Sequence, residues 1–189
     1  MNLIVIHSSP NDDGLTAACA SAAAEGGRQA GASVEEVKLN AAQVGMCQAC
    51  DRGWGQCQTR HECQVEDGFQ SLHQRIIAAD ALVIVTPVYW GEMSESAKAL
   101  TDRLRRCEAT RDTEQGGSRL VSKPYIAVAA AGGSGNGTLT CLGSMERWAQ
   151  HVGMRVFDLI PVKRWTRENK LHDIHASACE LATSWTAKP

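Results

Sequence analysis

No G-x-G-x-x-G follows the first apolar run of this chain, and no G-K-[ST] triplet occurs anywhere in its 189 residues. These absences exclude the two commoner glycine-rich phosphate cradles, that of the dinucleotide fold and that of the P-loop. Basic excess is missing too: 19 Lys and Arg stand against 21 Asp and Glu, for a net charge of −2. Without a positive field, counterion release cannot drive binding to nucleic acid, and neither nucleic acid nor a membrane surface is expected as a partner. No apolar stretch is long enough to span a bilayer, and no basic leader with a small-residue cleavage site precedes the first strand-like run. The expected location is the cytoplasm. Repeats, linkers and low-complexity tracts are also missing, so one domain over 1–189 is expected, with a Cys-rich insert at about 42–66.

Short apolar runs alternate with helical periodicity along the whole chain, the pattern of a parallel sheet covered by helices on both faces. The expected strands are Leu3 to His7, Ser33 to Leu39, Ala81 to Thr86, Tyr125 to Ala130 and Arg155 to Ile160. The first, third and fourth are almost wholly apolar, as strands buried on both faces must be. In the second, Val34, Val37 and Leu39 are interleaved with charge, which places it at an edge. Helices are expected over Thr16 to Ala30 and over Thr138 to Val152, the latter opened by a Thr cap. Helical spacing also joins Phe69, Leu72 and Ile76, then Met93, Ala97, Leu100 and Leu104, then Leu171, Ile174, Ala178 and Leu181. The polar stretch Ala109 to Ser122 interrupts the pattern.

Five consecutive βα units match a flavodoxin-like doubly wound α/β fold of strand order 2-1-3-4-5 better than a six-stranded dinucleotide fold. Ligands of such sheets lie beyond the carboxyl ends of the strands at the topological switch point, which selects the loops after strands one, three and four. Each has the right character. Ser8-Ser9-Pro10-Asn11-Asp12-Asp13-Gly14-Leu15-Thr16 places hydroxyls at a helix start, where unpaired backbone N–H groups and the helix dipole favour an anion. Thr86-Pro87-Val88-Tyr89-Trp90-Gly91 offers a stiff turn and aromatic surface to a flat ring. In Gly132-Gly133-Ser134-Gly135-Asn136-Gly137 the glycines let main chain approach a ligand without Cβ interference. A mononucleotide held by hydroxyls and amides fits these parts.

Several blocks carry a family resemblance: S-S-P-x-x-x-G-x-T after the first strand, C-x-x-C upstream of C-Q-V-E-D, A-A-D-A-L-V-I-V-T-P-V-Y-W-G-E-M-S, and K-x-x-x-D-R behind it. Over approximately Met1 to Ile160 the chain resembles the flavodoxin-like NAD(P)H-dependent FMN reductases, and within them the branch of iron-sulfur flavoproteins and multimeric-flavodoxin quinone reductases. The resemblance implies that Ser9, Gly14, Leu15 and Thr16, with Asn11 beside them, hold the FMN phosphate. It implies an isoalloxazine against Pro87, Val88, Tyr89 and Trp90 and near Gly132 and Gly133, and a homodimer or homotetramer. The chain departs from the family at Asn11, where Arg is frequent, and at Leu15, where Asn is; Asp12 and Asp13 add negative charge beside a phosphate. Lys98 and Asp102, four apart on one helix, are expected to form a surface ion pair rather than a substrate site, with Arg103 beside them.

Cysteine is the abundant element. Four of the eight, Cys47, Cys50, Cys57 and Cys63, fall within seventeen residues, more than packing alone requires. They are the candidate ligands of a [4Fe-4S] cluster or a zinc ion, although the iron-sulfur flavoproteins carry their third Cys where this chain has Gly53. Packing thiols, or a redox-active Cys47–Cys50 pair, are the alternatives. Cys19, Cys107, Cys141 and Cys179 are expected in the core, His61 in solvent, and His172 and His175 as structural. The functional expectation is an FMN enzyme that takes hydride from NAD(P)H and reduces a quinone, flavin or other small-molecule electron acceptor. Flavin chemistry asks for no catalytic acid or base from the protein. Two other readings stay open: an iron-sulfur flavoprotein electron carrier served by a ferredoxin-like partner, and a non-redox module with a zinc-stabilised loop.

Overall fold

The computed structural model describes residues 1–109 and 117–186. Its sheet comprises β1 (Asn2–His7), β2 (Ser33–Lys38), β3 (Ala81–Tyr89), β4 (Glu92–Met93), β5 (Pro124–Ala131) and β6 (Arg155–Lys163). Five of these are parallel in the order β2-β1-β3-β5-β6, while the two-residue β4 pairs antiparallel with the end of β3. Setting β4 aside, this is the 2-1-3-4-5 order expected, with β2 at the edge. The register runs Leu3 to Ala81 and His7 to Val85 across the centre, so the carboxyl ends of β1 and β3 finish side by side.

The helices are α1 (Leu15–Gln29), the single turn α2 (Cys50–Gly53), α3 (Phe69–Ala78), α4 (Glu95–Glu108), α5 (Thr138–His151) and α6 (Arg167–Thr186). Period-two alternation divides the strand side chains between two cores. Ile4, Ile6, Leu82, Ile84, Ala127 and Ala129 face α3, α4 and α5. Leu3, Val5, Val83, Val85, Ile126 and Val128 face α1 and α6. Each buried branched side chain contributes about 1.5–3 kcal/mol, so these double-faced strands form the stiff platform under the loops.

Three helix expectations change. Thr138 does not cap α5; Gly137 does so with φ +80°, and Thr138 is buried inside the first turn. Met93 belongs to β4 rather than to a helix, although it is buried as its spacing suggested. Cys179 is only half-buried, whereas Cys19, Cys107 and Cys141 are in the core. Burial pushes the Cys19 and Cys141 thiols up to about 12, which leaves them inert. Of the expected interruption Ala109 to Ser122, residues 110–116 lie outside the described residues. The part after them is pinned to α4: Glu108 accepts from the Arg119 amide at 2.8 Å and meets the buried His73 Nε2 at 2.7 Å. Among the described residues, no helix is long and apolar enough to cross a membrane.

Candidate functional site

The loop after β1 enters α1 through Gly14, whose extended backbone makes no side-chain cap. The first amides of α1 therefore keep their anion-binding capacity. Ser9 is buried and its Oγ donates to the Asn11 carbonyl at 2.6 Å, which curls the loop around Gly14. Thr16 is buried in the first turn, Leu15 is half-buried and Asn11 exposed. Asp12 turns to the edge strand, where the Lys38 ammonium binds it and holds its carboxyl below the usual range. Part of the negative charge foreseen beside a phosphate is thus neutralised from β2.

A buried hydroxyl cluster, not assigned from the sequence, ties this loop to the next. Ser94 Oγ donates to Ser8 Oγ at 2.8 Å, Ser8 Oγ donates to Thr86 Oγ1 at 3.1 Å, and the Ser94 amide donates to Thr86 Oγ1 at 3.0 Å. Ser94 also caps α4, its Oγ accepting from the Ala97 amide. Three elements thereby share one hydrogen-bond network at the switch point. A Ser at the end of one strand and a Thr at the end of the next were the only signals, and pairing them needs the sheet order.

Beyond Thr86, the chain forms a hairpin in which Tyr89 pairs with Glu92. Its two central residues, Trp90 (φ +53°) and Gly91 (φ +83°), both take left-handed backbone, the two-residue turn that matches strand twist. Pro87 is buried, Val88 is half-buried, Tyr89 is exposed and Trp90 stands fully in solvent at the tip. The hairpin is held against the fourth loop by a glycine contact: a Cβ on Gly137 would lie 2.6 Å from the Gly91 Cα. Only glycine fits there.

Between hairpin and fourth loop lies a cleft of about 530 Å³ lined by Val88, Trp90, Gly91, Ala131 to Gly137, and Thr140. That volume is within the range of cofactor sites. Gly132 and Gly133 face open space, with nothing within 4 Å of where a Cβ would stand. No lining side chain is ionisable; Ser134 and Thr140 contribute hydroxyls. The residues present fit the parts of FMN, with an uncapped helix start for an anion and a neutral, glycine-walled slot for a flat ring; of the expected residues Val88, Trp90, Gly132 and Gly133 line that slot, whereas Pro87, Tyr89 and the first loop do not.

The cysteine segment borders a separate space. Cys47, Cys50, Cys57 and Cys63 all line one closed space of about 20 Å³, together with Cys107, Arg103 and Arg106. Arg103 is not a surface partner of Lys98; it is 1% exposed. Its guanidinium forks onto Asp67 at 2.6 and 2.9 Å, donates to the Gly45 carbonyl at 3.0 Å and to Cys63 Sγ at 3.2 Å, and lies 4.2 Å from the Phe69 ring centre. Arg106 stacks on Trp54 and donates to the Gly53 carbonyl. Lys98 and Asp102 form the expected half-exposed ion pair at 2.5 Å. His61, expected in solvent, is 6% exposed with φ +60°. Ala49, Asp51 and Arg52 also hold left-handed backbone, a strained path that turns the segment back on itself. Among the described residues no three ligating side chains stand close enough to hold a metal ion. The space is that of one ion or water, too small for a four-iron cluster as the segment stands.

Comparison with known proteins follows the same lines. The model of the family described as NADPH-dependent FMN reductase matches residues 1–160. An iron-sulfur flavoprotein of Methanosarcina thermophila is 28% identical over 138 residues, an alignment that covers 71% of this chain and 65% of that protein. An FMN-dependent NADH:quinone oxidoreductase of Thiobacillus denitrificans is 42% identical over 64 residues, or 32% of this chain and 31% of that protein. In three dimensions, an NAD(P)H:quinone oxidoreductase from Methanothermobacter marburgensis superposes with a TM-score of 0.69 at 18% identity, covering 96% of each chain. The last likeness is one of fold.

Proposed function

The chain belongs to the NADPH-dependent FMN reductase family, and from that premise we propose that it is an FMN enzyme taking hydride from NAD(P)H and passing electrons to a quinone, flavin or other small acceptor. The observation that carries this reading is the neutral cleft between hairpin and glycine loop, which has the volume for a ring and no ionisable group of its own. When bound, FMN supplies the ring atom that accepts hydride and the store from which two electrons leave.

The chain's own residues position and exclude. Ser9, Asn11, Gly14, Leu15 and Thr16 surround the phosphate through hydroxyls and α1 amides, with Lys38 relieving the charge of Asp12. Val88 and Trp90 would border the ring from the hairpin, with Pro87 and Tyr89 beside them in the chain but outside the cleft lining, and Gly132 and Gly133 keep the opposite wall free of side chains. Trp90 is solvent-exposed in one chain, and a homodimer or homotetramer, the expected assembly, would cover it. Thr16→Ala tests the phosphate assignment. Losing one hydroxyl bond to an anion is expected to weaken FMN several-fold to roughly thirty-fold without unfolding the protein. Unchanged affinity in a fluorescence-quenching titration would count against it.

A second reading is favoured by the cavity that Cys47, Cys50, Cys57 and Cys63 share. The space suits one thiolate-bound ion, such as zinc, better than a [4Fe-4S] cluster, and either requires the thiols to converge further than they do here. Metal analysis after anaerobic purification decides. A bound ion is expected at about one per chain and lost in Cys57→Ser, because a four-ligand site fails when one thiolate goes. Metal-free wild-type protein whose thiols alkylate readily would sink the metal reading and leave the flavin reading intact.

A further inference from the structure

The family match ends at residue 160, so the strand end and helix start that follow are assigned nothing by it. That stretch, Pro161-Val162-Lys163-Arg164-Trp165-Thr166-Arg167-Glu168-Asn169-Lys170, carries four cations and one acid, and Lys170 is paired with Asp173 at 2.8 Å. Lys163 and Arg164 have no ion pair and no side-chain hydrogen bond among the described residues, and Arg164 is exposed. Arg167 reaches Glu168 only at 3.8 Å, and Glu168 is itself almost fully in water, so this pair does little to neutralise the patch. Trp165 is 63% exposed, an unusual position for a tryptophan without a ligand or partner. Arg164, Trp165, Thr166, Arg167, Glu168 and Asn169 line an open hollow of about 270 Å³.

The hollow adjoins the proposed flavin cleft through a single residue. The backbone of Gly135 lines the cleft, while a Cβ on Gly135 would stand 3.0 Å from Lys163 Cδ and 3.0 Å from the Trp165 ring. The cleft itself offers no cation. A dinucleotide whose nicotinamide end enters there must place its phosphates elsewhere, and Lys163, whose stem packs at Gly135, and Arg164 beside it are unpaired cations at that edge of the cleft. Guanidinium suits a phosphate through paired N–H donors, and an exposed indole offers a face to a purine.

Resting on the oxidoreductase reading above, we propose that this edge is the subsite for the phosphorylated adenosine end of the dinucleotide. Trp165 receives the adenine, and Arg164 with Lys163 receives the 2′-phosphate. Lys163 and Arg164 are thereby the residues that would set a preference for NADPH, the donor in the family's description, over NADH, since only the former carries that group.

The test uses the FMN-loaded protein and has two arms. In the first, adenosine 2′,5′-bisphosphate and adenosine 5′-monophosphate are titrated calorimetrically. The bisphosphate is expected to bind about ten- to hundred-fold more tightly, an advantage lost in the doubly substituted Lys163→Ala, Arg164→Ala protein and partly kept in Arg164→Lys. In the second arm, kcat/KM is measured with NADPH and with NADH, and the ratio is expected to fall about ten- to hundred-fold in the double variant. Equal affinity for the two adenylates, or a ratio unmoved by the substitutions, would overturn the subsite while leaving hydride uptake in place. Bisphosphate binding that depends on Arg164, in a protein whose flavin neither nucleotide reduces, would uphold the anion site and overturn the oxidoreductase reading instead.

Discussion

Arg103→Leu is expected to lower stability by about 3–5 kcal/mol, the cost of breaking a buried ion pair from one side. Leucine fills part of the space but leaves the Asp67 carboxylate with only the Gly45 and Phe69 amides and the Gly45 carbonyl without the guanidinium, and removes the contact to Cys63. Urea denaturation should show the loss, and iodoacetamide should label Cys47, Cys50, Cys57 and Cys63 faster in the folded variant because their segment has lost its anchor. A loss below about 1 kcal/mol with unchanged labelling would mean that Phe69 and the left-handed turns hold the segment without Arg103.

The same variant makes a pH prediction. Burial is the largest influence on Asp67 and pushes its carboxyl up, but the bonds from Arg103 and from the Phe69 and Gly45 amides together hold it below the usual range. A lowered carboxyl stabilises fully above the ordinary aspartate value of about 3.9 and loses that stabilisation as pH falls through the folded value. The wild-type protein should therefore lose stability on acidification in a window below about pH 4. In Arg103→Leu that contribution should shrink, because only the Phe69 and Gly45 amides still hold the carboxyl down.

Gly132→Leu is expected to act on function and leave the fold alone. Its backbone is not left-handed, and nothing lies within 4 Å of the added Cβ, so thermal stability should change by no more than about 0.5 kcal/mol. The new side chain occupies the slot proposed for the flavin ring. Crowding a fitted site costs about 1–3 kcal/mol, which corresponds to a roughly five- to 150-fold loss of FMN affinity. Fluorescence titration of the apoprotein with FMN measures it. Unchanged affinity would place the ring elsewhere, and a large fall in melting temperature would show Gly132 to be structural.

Much of this molecule was written in local pattern. The apolar runs beginning at Leu3, Ala81 and Tyr125 specify strands buried on both faces, and the charges between Val34 and Val37 specify an edge, because a period of two decides which face each side chain meets. Five such strands separated by helices leave few topologies open, since parallel crossovers are right-handed and short. The three loops at the switch point followed from that order, and with them the family resemblance.

What tertiary structure alone decided are the contacts between residues far apart in the chain. The Ser8, Thr86 and Ser94 hydroxyls meet across a sequence separation of 86 residues, and Arg103 reaches back 36 to Asp67. Arg103 reads as a surface cation on its own helix, because local pattern reports amphipathicity and says nothing of which loop will later cover a helix. Likewise, clustering in sequence suggested one site for Cys47, Cys50, Cys57 and Cys63; the fold brought all four to one cavity but stopped short of metal distances. Spacing bounds where thiols can reach, whereas their convergence depends on the left-handed turns at Ala49, Asp51 and Arg52, which non-glycine residues adopt only when surrounding contacts compel them.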